Sequence, residues 1–168
     1  MTQPCFFPAA PNEMWTVQKI VSGGQTGVDR AALEWALSAG MNCGGWCPAG
    51  RIAEDGPIDG RFPLEETPGE GYSQRTEWNV RDSDGTVLFS LEPRLTGGTQ
   101  LTKKFARKWN RPCLAVSRAE TEDPGSALQE FVETNRIEIL NIAGPRESTE
   151  AGCGKFAAEV LEQAFGGK

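Results

Sequence analysis

The chain alternates short apolar runs with segments whose apolar residues recur at helical spacing. Strands are predicted for the apolar runs, of which the second gives the weakest signal: 17–23, 41–47, 85–91, 112–117 and 137–144. Helices are predicted for the segments between and after these runs: 27–40, 99–110, 126–135 and 154–165. Because the strands are apolar on both faces and alternate with helices, we expect helices on both sides of the sheet. The predicted fold class is therefore α/β, a Rossmann-like three-layer α/β/α architecture with a mostly parallel sheet.

One long segment interrupts this alternation. Residues 48–72 are rich in glycine, proline and charged residues and show neither a helical nor a strand period. Loops of this length inside a compact domain are usually functional lids, interfaces or disordered segments. We therefore expect an irregular segment, and its role stays open among a lid over a site of its own chain or of a neighbouring subunit, an interface and a disordered segment.

Composition narrows the class of protein. With 168 residues, 38% of them hydrophobic, the chain has the size of one globular domain, predicted over 17–168 after an N-terminal extension, 1–16. The formal net charge of -6 argues against a protein that binds nucleic acid or a membrane through a broad basic surface. The N-terminus lacks a secretory signal pattern, and the five cysteines form no disulfide framework. We therefore expect a cytoplasmic protein that holds any anionic ligand locally.

A glycine-rich stretch directly follows the first predicted strand and leads into a helix. It consists of Gly23, Gly24, Gln25, Thr26 and Gly27. In open parallel sheets, ligands bind where the chain leaves a strand and enters a helix. Glycines there let a ligand approach the backbone, and the N–H groups of the helix N-terminus favour an anion. The stretch matches neither the dinucleotide fingerprint nor the Walker P-loop, so a tight turn without a ligand stays open as the alternative.

Two further junctions between a strand and the following chain carry small or hydroxyl-bearing residues. Thr96, Gly97, Gly98 and Thr99 follow the third predicted strand, and the segment 143–148 follows the last one. If the sheet is parallel, all three loops lie at one edge and can converge on one ligand. In the last loop, Arg146 and Ser148 would supply a charge and a hydroxyl; the alternative for Arg146 is a surface ion pair with Glu147 or Glu150.

The segment before the third strand combines polar residues at helical spacing. Arg75, Asn79 and Asp82 recur at i, i+4 and i+7, which places them on one helical face. Asp82 and Asp84 could accept hydrogen bonds from a heterocycle or hold Mg²⁺ through oxygen. Their alternative role is to end the helix and form the turn before the strand, as the sequence Asp-Ser-Asp-Gly commonly does.

Five ordered stretches together resemble the putative molybdenum carrier family. They are SGGQTGVDRAAL, CPAGRIAEDGPI, YSQRTEWNVRDSDGTVLF, TGGTQLT and NIAGPRES. The resemblance runs from about Ile20 to Phe165 and implies a Rossmann-like protein that binds molybdenum cofactor (molybdopterin), a pterin with a dithiolene and a terminal phosphate. It further implies protection of the cofactor, its delivery to molybdoenzymes, and a homo-oligomer, tetrameric in the members described. The cofactor's own dithiolene would bind the metal, so no protein ligand to a metal is expected.

The resemblance also suggests which residues border the cofactor. The candidates are Gly23, Gly24, Gln25, Thr26, Gly27, Arg75, Asn79, Asp82, Gly97, Gly98, Thr99, Arg146, Glu147 and Ser148. A phosphate is the natural partner of the backbone N–H groups in these loops, because bonds to preorganised donors are strong without a net positive protein. Trp46 is a further candidate that could stack on a flat pterin.

An enzyme is the alternative to a carrier. Phosphoribohydrolases of the same superfamily carry a P-G-G-x-G-T-x-x-E loop with a catalytic acid, whereas the stretch 96–102 has one glycine fewer and no glutamate in place. The chain contains no histidine, and no nucleophile is paired with a base. The sequence therefore favours a binding protein without catalytic residues, and hydrolysis of a nucleoside monophosphate stays open.

Overall fold

The computed structural model describes residues 17–167, so the predicted N-terminal extension, 1–16, lies outside the described residues. The helices are α1 Val28–Ser38, α2 Tyr72–Arg81, α3 Gly97–Lys108, α4 Pro124–Asn135 and α5 Cys153–Phe165. The strands are β1 Lys19–Val21, β2 Asn42–Gly44, β3 Trp46–Cys47, β4 Ile52–Ala53, β5 Gly56–Pro57, β6 Glu65–Glu66, β7 Gly85–Ser90, β8 Cys113–Ser117 and β9 Ile139–Ala143. Within these residues, every helix is too short or too polar to cross a bilayer.

The central sheet confirms the predicted fold class. Its five strands are all parallel and lie in the order β2-β1-β9-β7-β8. Helices α1, α5 and α4 pack side by side, and α2 packs against α3. The main core lies between the sheet and the first group, where Val28, Phe89, Ile142, Phe156 and Leu161 are buried. The fold is a Rossmann-like three-layer α/β/α structure.

The strand order shows where a ligand site should lie. If the chain began at β9, the sheet would read 3-2-1-4-5, which is the order of a doubly wound Rossmann sheet. In that fold, the strand order reverses between the first and fourth strands, and ligands bind in the crevice outside their carboxyl ends. Here those two strands are β9 and β7, which are direct neighbours. The fold therefore directs a ligand to the loops after β9, β7 and the adjacent β1.

The second predicted strand, 41–47, is divided into two strands of different sheets. β2 joins the central sheet, whereas β3 pairs with β6. Gly45 separates them with a φ of 131°, which is a conformation that side chains rarely allow. A Cβ at this position would lie 2.3 Å from the carbonyl oxygen of Ser22, in the loop after β1. Close packing of two backbones therefore ends β2 and redirects the chain.

The segment 48–72 is largely irregular, as expected, but it is more ordered than the sequence indicated. The segment contains the antiparallel pair β4–β5 and the short strand β6, and it encloses a second small core. In that core, Ile58, Phe62 and Leu64 pack with Leu33 of α1 and with Cys47. Apolar residues at irregular spacing thus fold the segment onto its own chain.

Arg51 holds this segment together from within. Its guanidinium donates to the carbonyl oxygens of Leu64 at 3.1 Å, Asp59 at 2.8 Å and Phe62 at 3.0 Å, and its Nε donates to that of Ile58 at 3.4 Å. The carbonyl oxygens of Asp59 and Phe62 also accept from the backbone N–H groups of residues 62 and 64, at 3.2 and 2.8 Å, so Arg51 adds a second donor at these two positions. One arginine side chain therefore connects four carbonyl groups that lie outside the short strands of the segment.

Replacing Arg51 with lysine should loosen the segment selectively. Lysine keeps the charge but cannot direct a planar fork at several carbonyl groups, so we expect the free energy of unfolding to fall by about 2 kcal/mol. Limited proteolysis should cut the segment 51–64 faster. The matched control is Arg61→Lys, because Arg61 makes an exposed ion pair with Glu34 at 2.8 Å, worth less than about 1 kcal/mol. Equal effects of the two substitutions would contradict this role of Arg51.

Candidate ligand-binding site

A cleft of about 170 Å³ lies at the carboxyl ends of the central strands. The loops after β1, β7 and β9 all contribute to it, together with the N-terminal turns of α2 and α3. The predicted convergence of three loops at one edge of the sheet is thus confirmed. The predicted site residues that line the cleft are Gly23, Gln25, Arg75, Asn79, Gly97, Gly98, Thr99 and Arg146.

The other predicted residues lie outside the cleft lining: Gly24, Thr26, Gly27, Asp82, Glu147 and Ser148. Two of these glycines are packed against their own chain. A Cβ on Gly24 would lie 2.6 Å from a methyl group of Leu64, and one on Gly27 would lie 2.5 Å from the carbonyl oxygen of Pro145. Gly24 therefore makes room for an apolar side chain, and Gly27 for the backbone of the loop after β9, both from the same protein.

Thr26 and Ser148 both hydrogen-bond to Glu54, a residue of the tight turn between β4 and β5. The Thr26 hydroxyl donates to one carboxylate oxygen of Glu54, and the Ser148 hydroxyl donates to the other at 2.5 Å. These hydrogen bonds hold the pKa of the Glu54 carboxyl below its usual value, because they favour the charged form. Sequence reasoning missed Glu54, whose position opposite the loop depends on the fold of the whole segment. The Glu54 carboxylate therefore accepts hydrogen bonds from two hydroxyl groups, those of Thr26 and Ser148, that the sequence assigned to a ligand.

Glu54→Gln should destabilise the protein more at neutral pH than in acid. A carboxyl whose pKa is lowered by folding stabilises the protein above its unfolded pKa, and this stability is lost as the pH falls through the lowered value. We expect urea unfolding to show a less stable variant at about pH 7, and the difference from the wild type to shrink as the pH falls below the usual range of a glutamate pKa and through the lowered value. The control is Glu70→Gln, which changes an exposed glutamate outside this cluster. A pH-independent difference for Glu54→Gln would contradict the account.

Asp82 lies at the opposite end of α2 from the cleft. It caps the C-terminus of that helix, next to the start of β7, and accepts from Arg81 at 2.7 Å and from the indole N–H of Trp46 at 2.8 Å. Asp84 accepts from the backbone N–H groups of residues 138 and 139 at 3.1 and 2.8 Å. Both aspartates thus serve the turn that the sequence offered as the alternative to ligand binding.

The side chain of Asn79 forms two hydrogen bonds with the backbone of Trp46. The Asn79 side chain accepts from the Trp46 backbone N–H at 2.7 Å and donates to its carbonyl oxygen at 3.0 Å, so it attaches β3 to α2. The Trp46 ring packs edge-on against Trp78, with ring centroids 4.8 Å apart, and does not line the cleft. The structure thus places this ring away from the position where it could stack on a cleft-bound pterin.

A buried ion pair forms the floor of the cleft. Arg75 donates to the carbonyl oxygen of Gly23 at 2.8 Å, and its guanidinium lies 3.8 Å from the carboxylate of Asp29. Burial raises the pKa of the Asp29 carboxyl, and the neighbouring Arg75 partly opposes this effect. The sequence analysis did not select Asp29, although it lies in the first turn of the helix that follows the glycine-rich stretch.

Tyr72 forms a wall of the cleft between two arginines. The guanidinium carbon of Arg146 lies 4.7 Å from the ring centroid, and that of Arg75 lies 5.2 Å from it. Such cation–π contacts orient both side chains. Sequence reasoning missed Tyr72, the one tyrosine of the chain. It is the first residue of α2, the helix that also carries the candidates Arg75 and Asn79, and this shared helix was the available signal.

The N-terminus of α3 opens directly into the cleft. Its N-cap residue, Thr96, does not cap the helix with its side chain, and the first N–H groups of a helix have no acceptor within the helix. A Cβ on Gly97 or Gly98 would meet no atom within 4 Å, so packing does not require glycine at either position. Free N–H groups at the positive end of a helix dipole suit an anion, and Arg146 lines the same cleft. Among residues 17–167, no cluster of acidic, cysteine or histidine side chains could hold a metal ion.

The sheet is doubly wound and permuted, and a cleft lies where its strand order reverses. Glycines and two arginines line this cleft. These features define a Rossmann-like ligand-binding protein. The chain belongs to the circularly permutated YpsA SLOG family, whose model matches residues 20–165. The strand order described above agrees with that permutation. No curated protein matches the chain.

The chain is also similar to a solved structure, that of a "putative molybdenum carrier protein" from Syntrophus aciditrophicus SB. The two sequences are 39% identical, the match covers 89% of this chain and 95% of the other, and the TM-score is 0.86. The family resemblance predicted from the five sequence stretches is thereby confirmed.

Proposed function

We propose that the protein binds molybdenum cofactor in this cleft, protects it from oxidation and delivers it to molybdoenzymes. The observation that carries the proposal is the α3 N-terminus, where two glycines without packing partners line the cleft that Arg146 also lines. This end of the cleft offers donors and positive charge to a terminal phosphate. The name of the similar Syntrophus protein supports a molybdenum-related ligand.

The charge distribution supports a small anionic ligand. The chain has a formal net charge of -6, so no broad positive field attracts an extended polyanion. Positive charge in the cleft comes from Arg75 and Arg146, and Asp29 lies next to Arg75 at the floor. Of the two arginines, Arg146 is the one with a partly exposed side chain, 40% of which is accessible, and its guanidinium lies 4.0 Å from the carboxylate of Glu54. It is therefore the cation most available to a ligand.

The proposal is tested by loading the purified protein with cofactor released from a molybdoenzyme under anaerobic conditions. Gel filtration should then recover molybdenum and pterin with the protein, and the bound cofactor should survive air for longer than the free cofactor. Loss of the cofactor during filtration, with no slowing of its oxidation, would refute the proposal. Light scattering of the same sample would test the proposed homo-oligomer, and transfer to a cofactor-free molybdoenzyme would test the proposed delivery.

Hydrolysis of a nucleoside monophosphate is the second candidate function. Asp29 favours it, because a buried carboxyl with a raised pKa in a ligand cleft is a feature of catalytic acids. The Asp29 carboxyl lies near the glycine-rich stretch after β1. β9 separates that strand from β7, which the loop of residues 96–99 follows. Release of ribose 5-phosphate from AMP, and its loss in Asp29→Asn, would favour this function over the carrier.

A further inference from the structure

Gln25 has an unusual hydrogen-bonding state for a buried residue. It is 4% exposed and lines the cleft. Its side-chain oxygen accepts from two backbone N–H groups, that of Glu54 at 2.9 Å and that of Thr26 at 3.1 Å. Its side-chain nitrogen is buried and has no partner among the described residues. A buried donor without an acceptor is costly, so this NH₂ group calls for an acceptor from outside residues 17–167, which a ligand in the cleft could supply.

The two backbone donors also fix the orientation of the amide. If the group were flipped, its NH₂ would face two N–H groups and its oxygen would lose both hydrogen bonds. Gln25, which lines the cleft, therefore has only a donor left to offer to a ligand. A ligand group at this position must accept a hydrogen bond, and a ligand N–H there would be rejected.

The surrounding charge indicates what kind of acceptor fits. The backbone N–H of Gln25 lies 3.4 Å from the carboxylate of Asp29, which is balanced by Arg75. An anionic oxygen beside that carboxylate would be repelled, whereas an uncharged carbonyl oxygen or ring nitrogen would not. Gln25 thus suits the uncharged acceptor of a heterocycle.

The positions of the strands separate this group from the anion end of the cleft. Gln25 follows β1 and the α3 N-terminus follows β7, and β9 lies between these two strands. Two strand spacings amount to about 10 Å. That distance suits a ligand with a heterocycle at one end and a phosphate at the other.

We infer that Gln25 determines ligand specificity by donating to an uncharged acceptor on the heterocyclic end of the ligand, while the phosphate binds at the N-terminus of α3. This inference rests on the proposed binding of a ligand in the cleft. It goes further by assigning the ligand's orientation and the residue that distinguishes a heterocycle from a simple anion.

The test compares an isosteric variant with a matched control. Gln25→Glu keeps an oxygen for the two backbone donors but removes the NH₂ group, and Gln74→Glu makes the same change outside the cleft, where the Gln74 oxygen accepts from the Gly69 N–H at 3.0 Å. The probes are 6-hydroxymethylpterin monophosphate, AMP and inorganic phosphate. We expect Gln25→Glu to weaken binding of the pterin phosphate and AMP by about ten- to a hundred-fold, with phosphate binding nearly unchanged. Gln74→Glu should bind all three probes as the wild type does.

Each outcome decides a separate point. Equal losses for all three probes, or no loss for the pterin phosphate, would overturn the role of Gln25. If the wild type binds AMP but neither the pterin phosphate nor molybdenum cofactor, and Gln25→Glu loses AMP, the cofactor proposal falls and the role of Gln25 stands. If Gln25→Glu does not fold, nuclear magnetic resonance of the wild type decides: the Gln25 side-chain NH₂ signals should shift with pterin phosphate and stay unmoved with inorganic phosphate. Unmoved signals with pterin phosphate would overturn the inference.

Discussion

Gly98→Asp is expected to abolish ligand binding while the protein remains folded. The new carboxylate would enter open space in the cleft, at the helix N-terminus that we assign to the phosphate. Like charges at such close range should weaken cofactor binding by about a hundred-fold or more. An acidic residue in the first turn of a helix is itself favourable, so the free energy of unfolding should stay the same or rise by about 0.5 kcal/mol. Cofactor titration and urea unfolding measure the two effects on one sample.

Two variants control for this result. Gly60→Asp places the same charge on another glycine whose Cβ would meet no atom within 4 Å, away from the cleft lining, and should leave binding unchanged. Gly98→Ala adds bulk without charge and should weaken binding much less than Gly98→Asp. Unchanged cofactor affinity in Gly98→Asp would show that the phosphate does not bind at α3.

Gly27→Ala is expected to destabilise the protein by about 3 kcal/mol or more. Gly27 has a φ of 77° and a ψ of -127°, a combination that side chains rarely adopt. An added Cβ would also lie 2.5 Å from the carbonyl oxygen of Pro145 and 2.7 Å from the backbone nitrogen of Glu147. Because both atoms belong to the backbone of the loop after β9, the clash separates two loops that border the cleft. Urea unfolding measures the loss.

Gly40→Ala separates the two causes of that loss. Gly40 also has a positive φ, 67°, but an added Cβ would meet no atom within 4 Å. It should therefore show only the backbone cost, about 1–2 kcal/mol. If the two alanine variants lost equal stability, the contact between the loops after β1 and β9 would contribute nothing.

Much of the fold could be predicted because local pattern and tertiary packing agree. β7 is buried along its whole length, and the apolar run Val87–Phe89 at its centre indicates this. The segment 48–72 could not be predicted in the same way. Its apolar residues have no regular spacing, and Arg51 supplies hydrogen bonds that no strand pattern indicates. The order of the strands likewise depends on long-range pairing, which periodicity does not report.

The candidate site, like the fold, could be predicted from the sequence only in part. The sequence located the loops correctly, since parallel strands bring their carboxyl ends to one edge. It could not tell which glycines face open space and which, like Gly27, face another loop. The spacing of Arg75, Asn79 and Asp82 was correct for one helical face, but seven residues extend about 10 Å along a helix axis. Because α2 runs away from the cleft, Asp82 lies at the wrong end.

The central claim is that the cleft carries molybdenum cofactor, and the most direct measurement is the ligand content of protein purified anaerobically from a host that makes the cofactor. Elemental mass spectrometry reads molybdenum, and fluorescence after oxidation reads pterin. We predict equimolar molybdenum and pterin on the wild-type chain and neither on Gly98→Asp. A wild-type protein that contains neither, even after incubation with free cofactor, would contradict the claim.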